Sequence, residues 1–501
     1  MSEFCIIGSG PSAIAAAVAL TRRNLPVTML DAGRSIEPSR AQTVARLASQ
    51  KPEEWDPADV ARLKEGVEVS SRGIPLKRLY GSDFPFVTEG SGREFEYTEA
   101  GIRPSFARAG LSNVWGAGML PFHRDDMADW PFDPAELDPC YHEVLSFVPS
   151  TGSKQEELAP SRQGLGLLQD AARSKNALAA HGINVTSSTL AVSGRKCVRC
   201  GLCLYGCPYG LIYNSESTLR DLMTLPNFRY QPGFVVDRLK EQTGEVRIEG
   251  HDLATGSRLE ARARRVLLGA GVIPSTAILL ASLGDYGVRI RLQDSFYFLV
   301  PLLRFAGLHG LAEERLHTLT QAFITMRDPD VCQQFIHFSV YGFNDLMIPS
   351  LRASVGPLGS VESFYARTMV AGGYLHSALS PGLWMTIEGD RVRLEGEDST
   401  GAVTLAKKAV AKLAKQALRL RTLPLAPAIR FFPPGRGYHT GGSFPMRTNP
   451  VRHTSDIEGR PFGFERVHLI DASCLPSIPA TTITLPVMAN SWRIANIVAN
   501  S

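Results

Sequence analysis

The hydrophobic pattern starts almost at the first residue. Phe4–Ile7 is an unbroken apolar run, the mark of a strand buried on both faces in a parallel sheet. A glycine turn follows, and "AIAAAVAL" then reads as a helix apolar on all sides. "PVTMLDAG" supplies a second strand ending at Asp31. The same order returns in "RRVLLGAGVIPSTAILLAS", with a strand over Val266–Leu268, a Gly269-Ala270-Gly271 turn and a helix. "FVVDRL" reads as one more strand. Between 285 and 430 the texture changes. "FYFLVPLLRF", "TLTQAFITM" and "QQFIHFSVYGF" read as strands, and "LWMTIEGDRVRLEG" as a hairpin turning at Gly389-Asp390. "AVTLAKKAVAKLAKQALRLR" is an amphipathic helix whose basic face (Lys407, Lys408, Lys412, Lys415, Arg419) reads as solvated. A last helix begins after Thr482, with Pro486 near its first turn.

A chain of 501 residues exceeds one ordinary core, so more than one domain is expected. Hydrophobic residues at 44% and charged residues at 20% are ordinary for a globular protein. A net charge of +4, with no basic stretch interleaved with aromatics, leaves no footprint for nucleic acid. No apolar run is long enough to span a bilayer. With structured sequence starting near Met1 and no leader ahead of it, the cytoplasm is the expected location. Export with a signal-bearing partner is the alternative.

The first turn carries chemistry. Gly8, Gly10 and Ala13 fit G-x-G-x-x-A between a strand and a helix. Gly8 allows the tight turn, Gly10 lets backbone N–H groups approach a diphosphate, and Ala13 lets the helix pack on the strand. The diphosphate would sit on the helix N-terminus. Asp31, about 20 residues on, is placed to accept a ribose 2′-hydroxyl, which argues against NADP. The second strand–turn–helix reads as a nucleotide-binding domain resuming after an insertion, and that favours FAD over NAD.

The end of the chain is the most specific text. "GYHTGGSFPM" has the form H-x-x-G-x-x-x-M, and "VHLIDASCLPSIPATTITLPVMANSWRIANIVA" follows. With the N-terminal fingerprint, "ARAGLSNVWGAGM" and "LLGAGVIPS" in the same order, the sequence resembles the glucose–methanol–choline oxidoreductase family. The resemblance covers most of the chain and is weak from about 285 to 430.

That resemblance implies a fold of α/β class, α+β overall. A discontinuous Rossmann-like FAD domain is joined to a substrate domain with an antiparallel sheet. The expected segments are 1–185 and 216–284 for FAD, 186–215 for a cysteine-rich loop, 285–430 for the substrate domain, and 431–501 for the C-terminal active-site segment. It also implies site residues. His439 would be the base that takes the hydroxyl proton while hydride leaves carbon for the flavin. Thr482 stands where the family has His or Asn; it can hydrogen-bond a substrate but cannot act as a base at neutral pH. Asp471 would bind the diphosphate–ribityl region. Val236 would lie in the strand along adenine, and Gly269 in the second turn. Asn113 and Val114 belong to the loop under the isoalloxazine ring, and Ile483 to the helix start at the pyrimidine edge. Valine at 114, where covalent members carry His, implies non-covalent FAD.

One motif lies outside this scheme. Cys197, Cys200, Cys203 and Cys207, with Pro208, form C-x2-C-x2-C-x3-C-P, the bacterial ferredoxin spacing. The expectation is an iron–sulfur cluster, [4Fe–4S] first, with [3Fe–4S] and zinc as alternatives. A three-cysteine site completed by Cys5, Cys140, Cys332 or Cys474 is also open. Some sugar dehydrogenases of the family hold a cluster at this point in the chain. The resulting expectation is an FAD-dependent dehydrogenase of a sugar, polyol or other alcohol, passing electrons through the cluster to an acceptor protein. The alternatives are a lyase with non-redox flavin, an oxidase using oxygen, and a non-catalytic electron carrier.

Overall fold

The apolar run at Phe4–Ile7 becomes the centre of a sheet. In the computed structural model, which describes residues 2–66, 76–153, 155–311, 313–342, 344–347 and 366–500, strand Ser2–Ile7 pairs in parallel on both sides. Its neighbours are Val27–Asp31 and Arg258–Leu268. Phe228–Pro232 and Val467–Leu469 extend the parallel part, and Glu245–Asp252 and Phe234–Gln242 add an antiparallel flank, giving seven strands. Helix Pro11–Thr21 is buried almost all round because its small side chains let helix Thr484–Asn500 lie close against it. Ser491 Oγ reaches the Ser12 carbonyl at 2.6 Å.

A second seven-stranded sheet is wholly antiparallel. Its centre is Tyr297–Arg304, Thr368–Tyr374, Cys332–Tyr341 and Ala322–Asp328. Strand Ile183–Ser187, which straddles the expected boundary at 185, closes one edge on Ala322–Asp328. Period-two alternation gives this sheet two faces. Phe298, Val300, Ile324, Phe338, Val340 and Ala371 face helices Arg162–Arg173 and Thr400–Ala414, forming a separate apolar core. Tyr297, Phe323, Ser339, Tyr341 and Tyr374 face the other way, toward the first sheet. A third sheet of five strands carries the Leu383–Glu388/Arg391–Gly396 hairpin, with Gly389-Asp390 at its turn as expected.

The basic helix differs from its sequence reading. It ends at Ala414, and Ala417–Leu420 is a separate short helix. Lys412 is not simply solvated: it pairs with Asp328, which is nearly buried in the sheet edge. Phe343, at the end of one expected strand, lies outside the described residues. No helix among the described residues is long and apolar enough to cross a membrane.

Helix Arg162–Arg173 is tied to the antiparallel sheet by a buried ion pair, Arg304 Nη2 to Asp170 Oδ2 at 2.7 Å. Asp170 Oδ1 also accepts from the largely exposed Arg173, so removing Arg304 leaves the buried carboxylate with one partner instead of two. Arg304→Met is therefore expected to destabilise the fold by about 1–3 kcal/mol, read from denaturant midpoints. Adding Asp170→Leu should restore much of that loss. An Arg304→Met variant as stable as the parent would remove the pair from any structural role.

Candidate active site

One cavity of about 420 Å³ lies between the mixed sheet and the open face of the antiparallel sheet. Its first end is built by the two glycine turns. Gly8 has φ +97°, and a Cβ there would stand 2.5 Å from the Gly269 carbonyl oxygen. The turns of the two strands thus touch, and Gly8 is glycine for the fold's sake. Gly10 is different: a Cβ there would meet nothing within 4 Å, and the same holds for Gly271. Both face open cavity. Helices Pro11–Thr21, Val272–Leu283 and Thr484–Asn500 all start on this wall, so three sets of unpaired N–H groups converge there. A diphosphate fits such a wall by charge and by space.

Two buried carboxylates brace it. Asp31 Oδ2 accepts Ser9 Oγ at 2.5 Å and Tyr230 OH at 2.8 Å, and burial pushes its pKa up to about 6. Ser9 Oγ also accepts the Ala109 N–H, which ties the nucleotide turn to the 110–118 loop. Asp471 lines the cavity, but its carboxylate is engaged by the chain itself. It accepts Gly271 N–H at 2.8 Å and Ser275 Oγ at 2.6 Å, and so holds the second turn in shape.

His439 lies on the wall toward the antiparallel sheet. Its loop is clamped by Asp294, which accepts Gly435 N–H at 2.7 Å and Thr440 Oγ1 at 2.7 Å, while Ser295 N–H donates to the His439 carbonyl. Asp294 is 1% exposed, and burial raises its pKa to about 7. The His439 ring stacks on Tyr374 with centroids 4.5 Å apart. Its Nδ1 is sealed without a partner, which leaves Nε2 as the nitrogen available to a molecule in the cavity. Burial lowers the imidazole pKa to about 4, so the ring is neutral at physiological pH. Thr482 lines the same space, and its hydroxyl oxygen accepts the Leu120 N–H at 3.1 Å. Its own O–H remains for a ligand.

The structure thus brings Gly8, Gly10, Asp31, Val114, Gly269, His439, Asp471, Thr482 and Ile483 to one cavity. Ala13 is buried behind the turn. Asn113 shapes the loop by donating to the Arg108 and Gly110 carbonyls. Val236 is buried in strand Phe234–Gln242, off the cavity wall. Sequence reasoning missed Lys77, whose Nζ donates to the Trp115 carbonyl at 2.8 Å and whose pKa burial lowers to about 8. It also missed the aromatic wall of Tyr297, Phe323, Tyr341, Tyr374 and Phe432. Alternation within the predicted strands carried that signal, but which face would meet the first sheet was not readable.

The cysteine loop packs beside this wall. Tyr80 OH donates to the Cys207 carbonyl, and a Cβ at Gly206 would strike the Tyr80 ring at 2.5 Å. Burial pushes the Cys200 thiol up to about 11 and the Cys203 thiol up to about 12, and each is raised further by the other cysteines of the run. The four are thus neighbours. Among the described residues, however, no group of three or more His, Cys, Asp or Glu side chains could hold a metal ion. As placed, the loop does not fit the expected cluster.

The two glycines separate fold from binding. Gly8→Ala should fail to fold stably, since its Cβ collides with backbone at a left-handed φ. Gly10→Val should fold with near-parental circular dichroism yet lose bound nucleotide. A Gly10→Val protein that retains full cofactor would show that nothing approaches that backbone.

No protein-family model matches the chain, and no curated protein matches it. Among solved structures, the chain is similar to pyridoxine 4-oxidase from Mesorbium loti. The TM-score is 0.65 at 16% sequence identity, covering 100% of this chain and 100% of that chain. At that identity the likeness is one of fold, over the full length of both chains.

Proposed function

We propose that this protein is an FAD-dependent oxidoreductase that oxidises a CH–OH group of a sugar, polyol or other alcohol. The observation that carries the reading is the single cavity with helix N-termini and open glycines at one end and neutral His439 at the other. The solved neighbour's name, an oxidase of pyridoxine, is in line with it.

FAD, held by the Gly10 and Gly271 turns with Asp31 at the ribose end, supplies the two-electron acceptor. The chain's own residues do the rest. His439 would accept the hydroxyl proton while the carbon-bound hydrogen leaves as hydride, so the alcohol loses two protons and two electrons: one proton to the imidazole, and the other with both electrons to the bound cofactor. A neutral imidazole is required, and burial ensures it. Thr482 orients the hydroxyl with its remaining donor. The aromatic wall excludes water. Val114 offers no atom for a flavin bond, so FAD is held without a covalent link.

The purified protein should be yellow and release intact FAD on acid precipitation; flavin staying in the pellet would refute the non-covalent site. His439→Ala should keep FAD and lose about 10²–10⁴-fold in anaerobic flavin reduction by substrate. The pH dependence follows from the lowered pKa. The active form is unprotonated, so kcat/KM should hold as pH falls through 6.5 and drop only near pH 4. An acid limb at 6.5 or above would show that His439 is not the buried base described here. Between those values the unfolded chain binds more protons at this residue, so its contribution to stability also falls as pH drops from about 6.5 to about 4.

A second reading concerns the electron outlet. The C-x2-C-x2-C-x3-C-P spacing alone supports this reading, in which the four cysteines would hold an iron–sulfur cluster delivering electrons to an acceptor protein; the side chains as placed form no ligand set among the described residues. The oxidation chemistry does not depend on it. Iron and acid-labile sulfide in stoichiometric amounts after anaerobic purification are expected. Zinc alone, or no metal, would end the relay and leave oxygen as the acceptor to test.

A further inference from the structure

Strand Cys332–Tyr341 sends Ile336, Phe338 and Val340 into the apolar core beneath the sheet. On the opposite face stand His337, Ser339 and Tyr341, and the last two line the cavity. His337 is 0% exposed and lies behind that lining. Its ring packs against Phe323, centroids 5.0 Å apart, and against Tyr374 at 6.3 Å. Burial lowers its pKa to about 3, so it is a neutral imidazole. Its Nε2 lies 3.2 Å from Ser339 Oγ, and its Nδ1 has no partner.

An imidazole is a poor choice for filling an aromatic pocket. One of its nitrogens is desolvated and unpaired here, which costs stability that a phenyl or aliphatic side chain would not. Its one hydrogen bond goes to a serine that opens on the cavity. Among the described residues, it is the hydrogen bond with this imidazole that holds the serine hydroxyl. Tyr374 neighbours both histidines: His439 stacks on it, and the His337 ring lies 6.3 Å from it, centroid to centroid.

We infer that Ser339 is a specificity-determining residue that binds a second oxygen of the alcohol, and that buried His337 is the positioning residue that aims its hydroxyl. The substrate class is then an alcohol with a second hydroxyl, carried on a skeleton whose C–H face rests on the aromatic wall at Phe323. The inference rests on the oxidation reading above, with one substrate oxygen at His439 and the other at Ser339.

Anaerobic flavin reduction tests it, with paired substrates: diols or cyclic polyols, each against its matched mono-ol. The parent should prefer the diol. Ser339→Ala should raise the diol's half-saturation concentration roughly tenfold, as for one lost hydrogen bond. It should leave the mono-ol's value and the limiting rate nearly unchanged. His337→Phe should reproduce that shift, and the double variant should add nothing to it, because both act through one hydroxyl. His337→Gln can still bond the serine and should keep most of the preference. If His337→Phe does not fold, Ser339→Ala and His337→Gln carry the test alone. An unchanged diol preference in Ser339→Ala, or additive effects in the double variant, would overturn the assignment while sparing the oxidation reading. A parent flavin that no alcohol in the panel bleaches would overturn the oxidation reading itself, and this assignment with it.

Discussion

The contact between Gly8 and Gly269 sets the rest of the molecule. Strands Ser2–Ile7 and Arg258–Leu268 run side by side in register, and the chain leaves both through glycine turns whose backbones touch. Gly269 N–H donates to the Ile7 carbonyl, and Gly8 N–H to the Leu30 carbonyl. Any side chain at Gly8 would push the two turns apart. Because they meet, helices Pro11–Thr21 and Val272–Leu283 start side by side and present their unpaired N–H groups to one space. Segments some 250 residues apart in the chain, an order of separation costly in loop-closure entropy, become one binding wall only through this contact.

The opposite wall depends on a second constraint. The His439 loop has no regular structure of its own, and Tyr438 within it is left-handed at φ +57°. Asp294 fixes it at both ends, and a short pairing of Thr440–Gly441 with Gln293 and Asp294 holds it against the third sheet. Burial shifts the titratable groups of this region toward their neutral forms. His439 and His337 are both lowered far below 6.5, and Asp294 is raised to about 7. The cavity is therefore a poorly solvated place where a proton acceptor can stand uncharged next to aromatic rings, as abstraction of a hydroxyl proton requires.

The cysteine loop marks the boundary of this logic. Tyr80 holds it through the Cys207 carbonyl, and it lies close to the cavity residue Lys77. Burial raises the Cys200 and Cys203 thiols well above neutral pH, so these two are protonated. The spacing of the motif is that of a cluster binder, whereas the side chains as placed form no ligand set among the described residues. Local spacing sets which residues can reach a common centre; whether they do so depends on where the loop is held.

By itself the sequence determined the elements and the glycine turns that open on the cavity. Uninterrupted apolar runs, the paired glycine turns and Asp31 follow from local sterics and local periodicity, which a chain displays without its fold. The hairpin at Gly389-Asp390 was legible for the same reason. Only the tertiary structure decided which face of the antiparallel sheet meets the cavity, and so which of Phe338 and Ser339 is core and which is lining. It assigned Asp471 to bracing a turn, set Val236 off the wall, and gave Lys412 an acidic partner. It also brought His337 behind Ser339 and across Tyr374 from His439. Period-two alternation tells two faces apart but cannot say what covers each, because that is set by the packing of strands and helices distant in the chain.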